Sequence, residues 1–254
     1  MTSLDASQHA LAALAALGAG AVNAIAGGGT LISFPALVAL GMGRVEANVT
    51  NTVALCTGYF GGAVAQRDEL RGERERLTRL GIAAGLGGLT GSVLLIVTGE
   101  AAFKRVVPFL ILLACALLGG QQWIRKVLKI GGREHGVESP VITLVATYAV
   151  SIYGGYFGAG LSIMVLAVLG LLFNDPLGRL NALKQVLALV INLVAAVFFS
   201  FSGHVLWTVV AVMAPASLLG GVLGGKLVGH IEPRVLRAAV VSYGTVLAFW
   251  YLLR

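Results

Sequence analysis

Two glycine-rich segments interrupt an otherwise apolar chain, and they lie about 131 residues apart. The first reads Asn-Ala-Ile-Ala-Gly-Gly-Gly-Thr over residues 23–30, and the second reads Gly-Gly-Tyr-Phe-Gly-Ala-Gly-Leu over residues 154–161. Each is followed by an apolar run of about a dozen residues, which is too short to cross a bilayer. Paired helix breaks at corresponding places in two halves are typical of membrane transporters that bind substrate near the middle of the membrane.

The composition indicates an integral membrane protein. Of the 254 residues, 57% are hydrophobic and only 11% are charged, whereas a soluble domain carries about 25% charged residues. The mean hydropathy is +0.91. The pattern predicts membrane spans over residues 8–26, 46–66, 77–98, 103–123, 139–157, 180–201, 205–229 and 233–253, with two shorter apolar runs over 30–43 and 160–173.

Charge and cysteine usage exclude several classes of protein. The net charge of +7 comes from cations beside the predicted spans, where they set orientation in the membrane rather than bind nucleic acid. Cys56 and Cys115 lie inside apolar runs, which predicts neither a disulfide nor a metal site. The sequence shows no nucleotide-binding loop, metal-ligand cluster or nucleophile paired with a base. We therefore expect a protein of the lipid bilayer that is not an enzyme and needs no cofactor.

Four short segments of the first half recur in the second half in the same order. The aligned pairs are residues 27–29 with 158–160, 47–51 with 180–184, 86–88 with 219–221, and Glu100/Arg105 with Glu232/Arg237. The offset stays between 131 and 133, and four matches in register indicate a duplication. We expect a first transmembrane repeat over residues 1–124, a cytoplasmic linker over 125–138 and a second transmembrane repeat over 139–254.

Each break is either the tip of a hairpin or a kink in one continuous span. With hairpins the two halves are inverted, and of the 18 Lys and Arg residues only Arg44, Lys104, Arg105 and Arg254 lie on one side of the membrane. With kinks the halves are parallel, the chain crosses eight times, and the cations divide more evenly. The positive-inside rule favours inversion, with both termini outside and residues 67–79 in the cytoplasm. We predict an all-α polytopic membrane helix bundle with two inverted repeats, each containing a Gly-rich broken-helix hairpin; the parallel arrangement is the alternative.

The breaks and the polar stretch after them resemble the TauE/SafE sulfite exporter family. The shared pattern is Ala-Gly-Gly-Gly over residues 26–29, then Pro35, then small-Asn-x-Thr-Asn over 47–51; the second half echoes it at 158–160 and 181–184. The resemblance implies a transporter in the bacterial cytoplasmic (inner) membrane, with export as the expected direction. The implied substrates are small sulfur-containing anions such as sulfite, sulfoacetate or other organosulfonates. Because family members differ in substrate, the resemblance supports an anion transporter more strongly than any one anion.

The physical chemistry of the breaks also favours an anion. Where a helix begins inside the membrane, its first N–H groups have no partners and its dipole is positive. Glycine allows the turn and leaves the backbone open to a ligand. The candidate substrate contacts at the breaks are Gly27, Gly28, Gly29, Thr30, Ser33, Gly158, Ala159, Gly160 and Ser162.

A second polar set follows each break, and its members are Asn48, Thr50, Asn51, Asn181, Lys184 and Gln185. Lys184 aligns with Asn51, and an ionisable residue inside a span indicates a functional site. The alternative for Lys184 is snorkelling to the cytoplasmic interface. The amides are candidates for anion binding or, alternatively, for hydrogen bonds between helices.

Other functions stay open at this point. One alternative is a channel or uniporter for a different small anion, and a less favoured one is an integral-membrane enzyme. No carboxylate lies at the centre of a predicted span, so coupling to an ion would use sodium on backbone carbonyls or the protonation of the substrate itself. The sequence is compatible with a homodimer and leaves the oligomeric state and the coupling ion open.

Overall fold

The computed structural model describes residues 4–25, 28–65, 67–127, 139–227 and 233–253, and these residues form helices and short connections without strands. The helices are α1 (Ala6–Ile25), α2 (Thr30–Ala39), α3 (Arg44–Ala65), α4 (Arg74–Val127), α5 (Pro140–Tyr156), α6 (Leu161–Leu172), α7 (Leu177–Ser200), α8 (Trp207–Leu227) and α9 (Pro233–Leu252), and a 3₁₀ turn covers Arg67–Leu70. The all-α prediction is therefore confirmed.

Four segments of the described chain are long and apolar enough to cross a membrane. They are Arg74–Gly120, Gly178–Ser200, Trp207–Gly224 and Val235–Leu252. The two short runs predicted after the breaks are the helices α2 and α6, which begin at Thr30 and Leu161. Each is about half the length that a full span requires.

Helix α4 differs from the prediction, which placed two spans separated by a connection. The structure has one helical element interrupted only at Gly99, whose φ of 68° and ψ of −173° lie outside the helical region. A glycine adopts this conformation without steric cost, so one residue replaces a loop. We call residues 74–98 the first arm of α4 and residues 100–127 the second arm.

The two arms of α4 lie on either side of the α5–α6 pair. Gly91 of the first arm packs against the backbone of Ile152 in α5, while Ala114 of the second arm faces Gly160 just before α6. A straight helix of 54 residues would be about 80 Å long and could not reach the same short pair twice. The chain therefore reverses direction at Gly99.

A capping box fixes the start of α1. The Asp5 carboxylate accepts a hydrogen bond from the Gln8 N–H at 2.8 Å, and the Gln8 side chain accepts one from the Asp5 N–H at 2.9 Å. The Ser7 hydroxyl donates a further hydrogen bond to the Asp5 carboxylate. This bond, and to a smaller extent the bond from the Gln8 N–H, lowers the pKa of Asp5 below its ordinary value. The carboxylate form that caps α1 is therefore retained to lower pH than in a free aspartate.

Helices α1 and α2 run side by side in opposite directions. A Cβ atom at Gly29 would collide with the carbonyl oxygen of Ala19, so the chain after the break lies directly against α1. At the other end of the pair, the Gln8 side chain donates a hydrogen bond to the Leu40 carbonyl at 3.3 Å. The intervals from Gly29 to Leu40 and from Ala19 back to Gln8 contain the same number of residues, as an antiparallel pair requires.

Helices α5 and α6 form a corresponding pair. Near the break, a Cβ atom at Gly154 would lie 2.8 Å from the side chain of Leu161. At the opposite end, Pro140 of α5 and Phe173 after α6 line one cavity of about 720 Å³. The start of α5 and the end of α6 therefore lie at the same end of the bundle.

The two helix pairs are oriented in opposite directions along the first arm of α4. After α2, the backbone N–H groups of Arg44 and Val45 donate to the Glu100 carboxylate at 2.7 and 2.8 Å, beside the reversal at Gly99. After α6, Asp175 pairs with Arg76 at 2.6 Å, beside the start of α4. We call the end of each pair that lies opposite its break the open end. The open end of the α1–α2 pair lies near Gly99, and that of the α5–α6 pair lies near Arg74.

An ion-pair network joins the α6–α7 connection to the start of α4. Arg76 pairs with Asp175 and with Glu73 at 3.2 Å, and Arg179 reaches both carboxylates at 3.4 and 3.5 Å. The Arg76 guanidinium also lies over the Phe173 ring, 4.5 Å from its centroid. Because both arginines are partly exposed, each pair contributes modestly, and the main effect is to fix the connection in place.

Glycines allow close packing between α5 and the first arm of α4. A Cβ atom at Gly87 would collide with the Tyr148 carbonyl, and one at Gly91 would collide with the Ile152 carbonyl. Small residues four apart let two helices approach closely in lipid, where packing rather than water drives association.

The same contact is made a second time between α1 and α8. A Cβ atom at Gly220 would collide with the Leu17 carbonyl, and one at Gly224 would lie 2.6 Å from the Cα of Ala21. Leu17 and Ala21 correspond to Tyr148 and Ile152 at an offset of 131. Gly220 and Gly224 correspond to Gly87 and Gly91 at an offset of 133. Each half therefore places its first helix on the glycine face of the other half.

These reciprocal contacts are what a two-fold relation between the halves requires. The direction of that relation in the membrane and the repeat boundaries at residues 124 and 139 stay predictions. Most of the linker predicted over 125–138 lies outside the described residues.

The glycine contacts give a direct test of packing. We expect Gly91→Ala to lower the free energy of unfolding by about 1–3 kcal/mol, because a Cβ atom there meets α5 backbone that cannot move alone. Gly81→Ala is the matched control on the same arm, because nothing lies within 4 Å of its Cβ position. Thermal unfolding of both variants in detergent measures the difference, and equal midpoints would contradict the packing described here.

Candidate substrate site at the two helix breaks

The first break reverses the chain between α1 and α2 at Gly28, whose φ is 91°. The Gly29 N–H donates to the Asn23 side-chain oxygen at 2.9 Å, so Asn23 satisfies one N–H at the start of α2. The Gly29 carbonyl accepts hydrogen bonds from the N–H groups of Ile32 and Ser33 at 2.9 and 3.2 Å. The Ser33 hydroxyl also donates to this carbonyl, at 3.4 Å, so its proton points back along its own helix.

The second break is tighter and uses two glycines in the left-handed region, Gly158 with φ 74° and Gly160 with φ 72°. The Tyr153 carbonyl accepts the N–H groups of Phe157 and Gly158 at 3.0 and 3.2 Å. The Tyr153 hydroxyl reaches across the turn and donates to the Ala159 carbonyl at 2.6 Å. Tyr153 therefore holds both sides of the turn.

The second break uses most of its acceptors and leaves donors available. Hydrogen bonds are accepted by the carbonyls of Tyr156, Gly158, Ala159 and Gly160. By contrast, the N–H groups of Gly160 and Ser162 have no hydrogen-bond partner among the described residues. The start of α6 thus offers N–H groups at the positive end of the helix dipole, which is the arrangement that binds an anion.

The two breaks lie against one face of the second arm of α4. A Cβ atom at Gly28 would lie 3.2 Å from the Leu118 side chain, and one at Gly160 would lie 3.5 Å from the Cα of Ala114. Residues four apart on a helix are neighbours about 6 Å apart. The breaks are therefore separated by about one helical turn along α4.

An aromatic contact joins the two helix pairs directly. Phe34 of α2 packs edge-on against Phe157 of the second break, with ring centroids 5.3 Å apart. Phe103 of α4 contacts both rings at 6.2 and 6.0 Å. All three side chains are buried, so the second break is anchored to the first pair through a dry aromatic cluster.

Tyr59 of α3 connects the polar groups of the two breaks. Its side chain is buried, and its hydroxyl is placed for hydrogen bonding to Ser162 at the second break and to Asn23 at the first. Sequence reasoning did not select Tyr59. The available signal was a tyrosine deep in an apolar span, because a buried tyrosine hydroxyl requires a partner.

The candidates on α3 lie beside the second break. The Asn48 side-chain N–H donates to the Tyr156 carbonyl at 3.1 Å, at the end of α5. Asn51 is one turn further on, and the side-chain oxygens of Asn48 and Asn51 are buried without a hydrogen-bond partner in the part of the chain that the structure describes. The Thr50 hydroxyl accepts the Leu206 N–H at 3.0 Å, which ties α3 to the start of α8.

The candidates on α7 form a separate group. The Lys184 ammonium donates to the Asn181 side-chain oxygen at 3.2 Å, and both side chains are half-buried. Lys184 lies seven residues after Leu177, or about 10 Å into the helix from the end at which α6 finishes. Gln185 follows it and is half-buried.

The structure thus brings together the second break, Tyr59, Asn48 and Asn51, and it places Asn23 on the same tyrosine. Thr30 is buried at the start of α2. Gly27 lies outside the described residues. The role of each of these residues in substrate binding stays a prediction.

Several curated proteins resemble this chain over most of its length. A probable membrane transporter protein of Haemophilus influenzae is 33% identical over 222 residues, which cover 87% of this chain and 85% of the relative. The probable membrane transporter protein YfcA of Escherichia coli K12 is 27% identical over 91% of this chain and 84% of its own length. The probable membrane transporter protein ORF9 of a Sinorhizobium species is 27% identical over 96% of this chain and 93% of its own length. No solved structure matches the chain.

The family model described as sulfite exporter TauE/SafE matches residues 12–251. This range includes both breaks, the polar stretches that follow them and the glycine faces that join the halves. The resemblance noted in the sequence is therefore confirmed, and the apolar helices and the transporter relatives agree with it. The chain belongs to the sulfite exporter TauE/SafE family and is an integral membrane transporter.

Proposed function

We propose that this transporter moves a small sulfur-containing anion, such as sulfite, sulfoacetate or another organosulfonate, out of the cell across the cytoplasmic membrane. The observation that carries the proposal is the hydrogen bonding at the second break, where four carbonyls are occupied while the N–H groups of Gly160 and Ser162 are available. An anion needs donors, whereas a cation held by the same turn would need free carbonyls.

The donors around the break suit a sulfonate or sulfite group, which presents several oxygens to be bound. The Ser162 hydroxyl and the Asn23 amide each lie beside the Tyr59 hydroxyl, which is between the breaks. The start of α6 adds its N–H groups and positive dipole. In this proposal the anion lies between the N-termini of α2 and α6, and Lys184 supplies a full positive charge from α7.

We further infer that the two halves are inverted repeats with hairpin breaks. This inference is supported by the antiparallel α1–α2 pair, by the opposite open ends of the two pairs and by the reciprocal glycine contacts. Transporters built in this way alternate access to a central site by movement of one repeat against the other.

Ligand protection tests the substrate class. With potassium as the common cation, sulfite or sulfoacetate should raise the thermal unfolding midpoint of the purified protein, and choline chloride or glycerol should not. At a concentration of 100 times Kd, a bound anion stabilises the native state by about 2.7 kcal/mol. Protection by choline and by no sulfur anion would overturn the assignment.

Matched serine variants locate the site within the same experiment. Ser162→Ala removes a hydroxyl beside Tyr59, so the anion affinity should fall roughly tenfold or more. Ser92→Ala is the control, because that hydroxyl donates to the carbonyls of Gly88 and Gly155 in helix packing. Uptake into proteoliposomes of sulfite, thiosulfate, sulfoacetate, taurine and sulfate then ranks the substrates, and saturable flux with counterflow separates a carrier from an anion channel.

Lys184 provides a second test. Lys184→Ala should weaken anion binding by roughly 10- to 100-fold, because a charged hydrogen-bond donor is lost. Lys184→Arg should restore only part of the affinity, since a planar guanidinium does not replace a compact ammonium. Lys126→Ala, which removes an exposed lysine at the end of α4, is the charge-matched control. Calorimetry that gives the same affinity for Lys184→Ala and the parent protein would leave Lys184 as an interfacial residue only.

A further inference from the structure

We propose that α3 holds a monovalent cation, sodium, between the side-chain oxygens of Asn48 and Asn51, beside the end of α5. The site itself is independent of the substrate. Only its role as the coupling ion rests on the proposed anion transport.

Hydrogen bonding at Asn48 and Asn51 supports the cation site. The side chains of Asn48 and Asn51 are each 1% exposed, and their Oδ1 atoms have no partner among the described residues. The orientation of the Asn48 amide is fixed, because its Nδ2 donates to the Tyr156 carbonyl at 3.1 Å. Its oxygen must therefore face the other way. Buried polar atoms are almost always satisfied, so two unpaired acceptor oxygens on one helix indicate a bound cation or a bound hydrogen-bond donor.

The position of Asn48 and Asn51 in the fold also favours a bound cation. Asn48 and Asn51 are three residues apart and share one face of α3. Asn48 lies at the C-terminal end of α5, where the helix dipole is negative and attracts cations. The Phe157 carbonyl follows immediately, and it accepts no backbone hydrogen bond within the residues described. The same break thus presents the Phe157 carbonyl oxygen at the end of α5 and N–H groups at the start of α6.

The two halves of the chain differ at this pair of positions. Asn181 and Lys184 occupy the aligned positions of Asn48 and Asn51. In the second half, the Lys184 ammonium binds the Asn181 oxygen at 3.2 Å, so a cation tethered to the chain satisfies that amide. In the first half, residue 51 is asparagine and brings no charge. A free cation at Asn48 and Asn51 would play the part that the ammonium of Lys184 plays at Asn181.

The ligand chemistry favours a monovalent ion. Both oxygens are neutral amides, whereas calcium and magnesium sites in proteins usually include carboxylates. Glu46 is two residues from Asn48, and residues two apart on a helix do not face each other. A sodium ion there would lie at one end of the break while the anion lies at the other, so each would lower the electrostatic cost of binding the other.

Thermal unfolding without any sulfur anion tests the cation site. With chloride as the common anion, sodium should raise the unfolding midpoint saturably, while potassium should do so less and choline should not. Asn51→Leu should lose this response. Asn51→Lys, which copies the second half, should also lose it while keeping a midpoint near that of the sodium-bound parent. Asn192→Leu removes a buried amide of α7 that bonds within its own helix, and this control should keep the response.

A gain-of-affinity variant guards against variants that fail to fold. Asn51→Asp adds a negative charge to the pair and should lower the half-saturating sodium concentration roughly tenfold. An equal response to choline, no response in the parent, an undiminished response in Asn51→Leu or an unchanged half-saturation in Asn51→Asp would each overturn the proposal. In the first two cases the oxygens of Asn48 and Asn51 bind water only.

Transport separates this inference from the proposed function. In proteoliposomes, anion flux by the parent and by the control Asn192→Leu should rise with sodium and not with choline. A sodium response in the unfolding experiment together with no response to any sulfur anion would sustain the cation site and overturn the substrate class. Anion protection with no sodium response would do the reverse.

Discussion

The structure depends on one constraint, which is that backbone N–H and C=O groups freed inside a membrane must find partners within the protein. At the breaks these partners come from side chains distant in sequence or across a turn. The Asn23 side-chain oxygen accepts the Gly29 N–H. The Tyr153 hydroxyl donates to the Ala159 carbonyl, and the Asn48 side-chain N–H donates to the Tyr156 carbonyl. The groups that these contacts leave without partners at the start of α6 are donors, which supports the proposed anion site.

The membrane environment also explains why the two halves pack against each other at glycines. Hydrophobic burial does not drive helices together in lipid, so close backbone contact must do so. Gly87 and Gly91 receive α5, and Gly220 and Gly224 receive α1. These faces hold the long first helix of each pair, while the short helices α2 and α6 begin beside Tyr59 and the aromatic cluster of Phe34, Phe103 and Phe157. A rigid frame with a polar centre is what positioning of a small ion requires.

Most of the fold could be predicted from local patterns, whereas most of the site could not. Apolar length and the glycine triplet place α2 and α6, because the hydrophobic run and the break are properties of adjacent residues. The spans on either side of residue 99 were predicted, but a turn made by one glycine was not, since a single glycine in an apolar stretch more often packs than turns. Tyr59, and the bond from Asn48 to Tyr156, depend on contacts between segments far apart in the chain. Lys184 was found because a charge in a span is costly, yet its partner Asn181 is explained only by the geometry of α7.

We infer that the two broken-helix pairs enter the membrane from opposite faces and meet at their breaks. Cysteine labelling with a membrane-impermeant maleimide tests it most directly, in a protein whose native Cys56 and Cys115 are replaced by alanine. Ser7→Cys lies at the exposed start of α1, and Asn174→Cys lies at the exposed end of α6. In intact spheroplasts, Ser7→Cys should be labelled from outside and Asn174→Cys only after permeabilisation. Labelling of both cysteines from the same side would contradict the account.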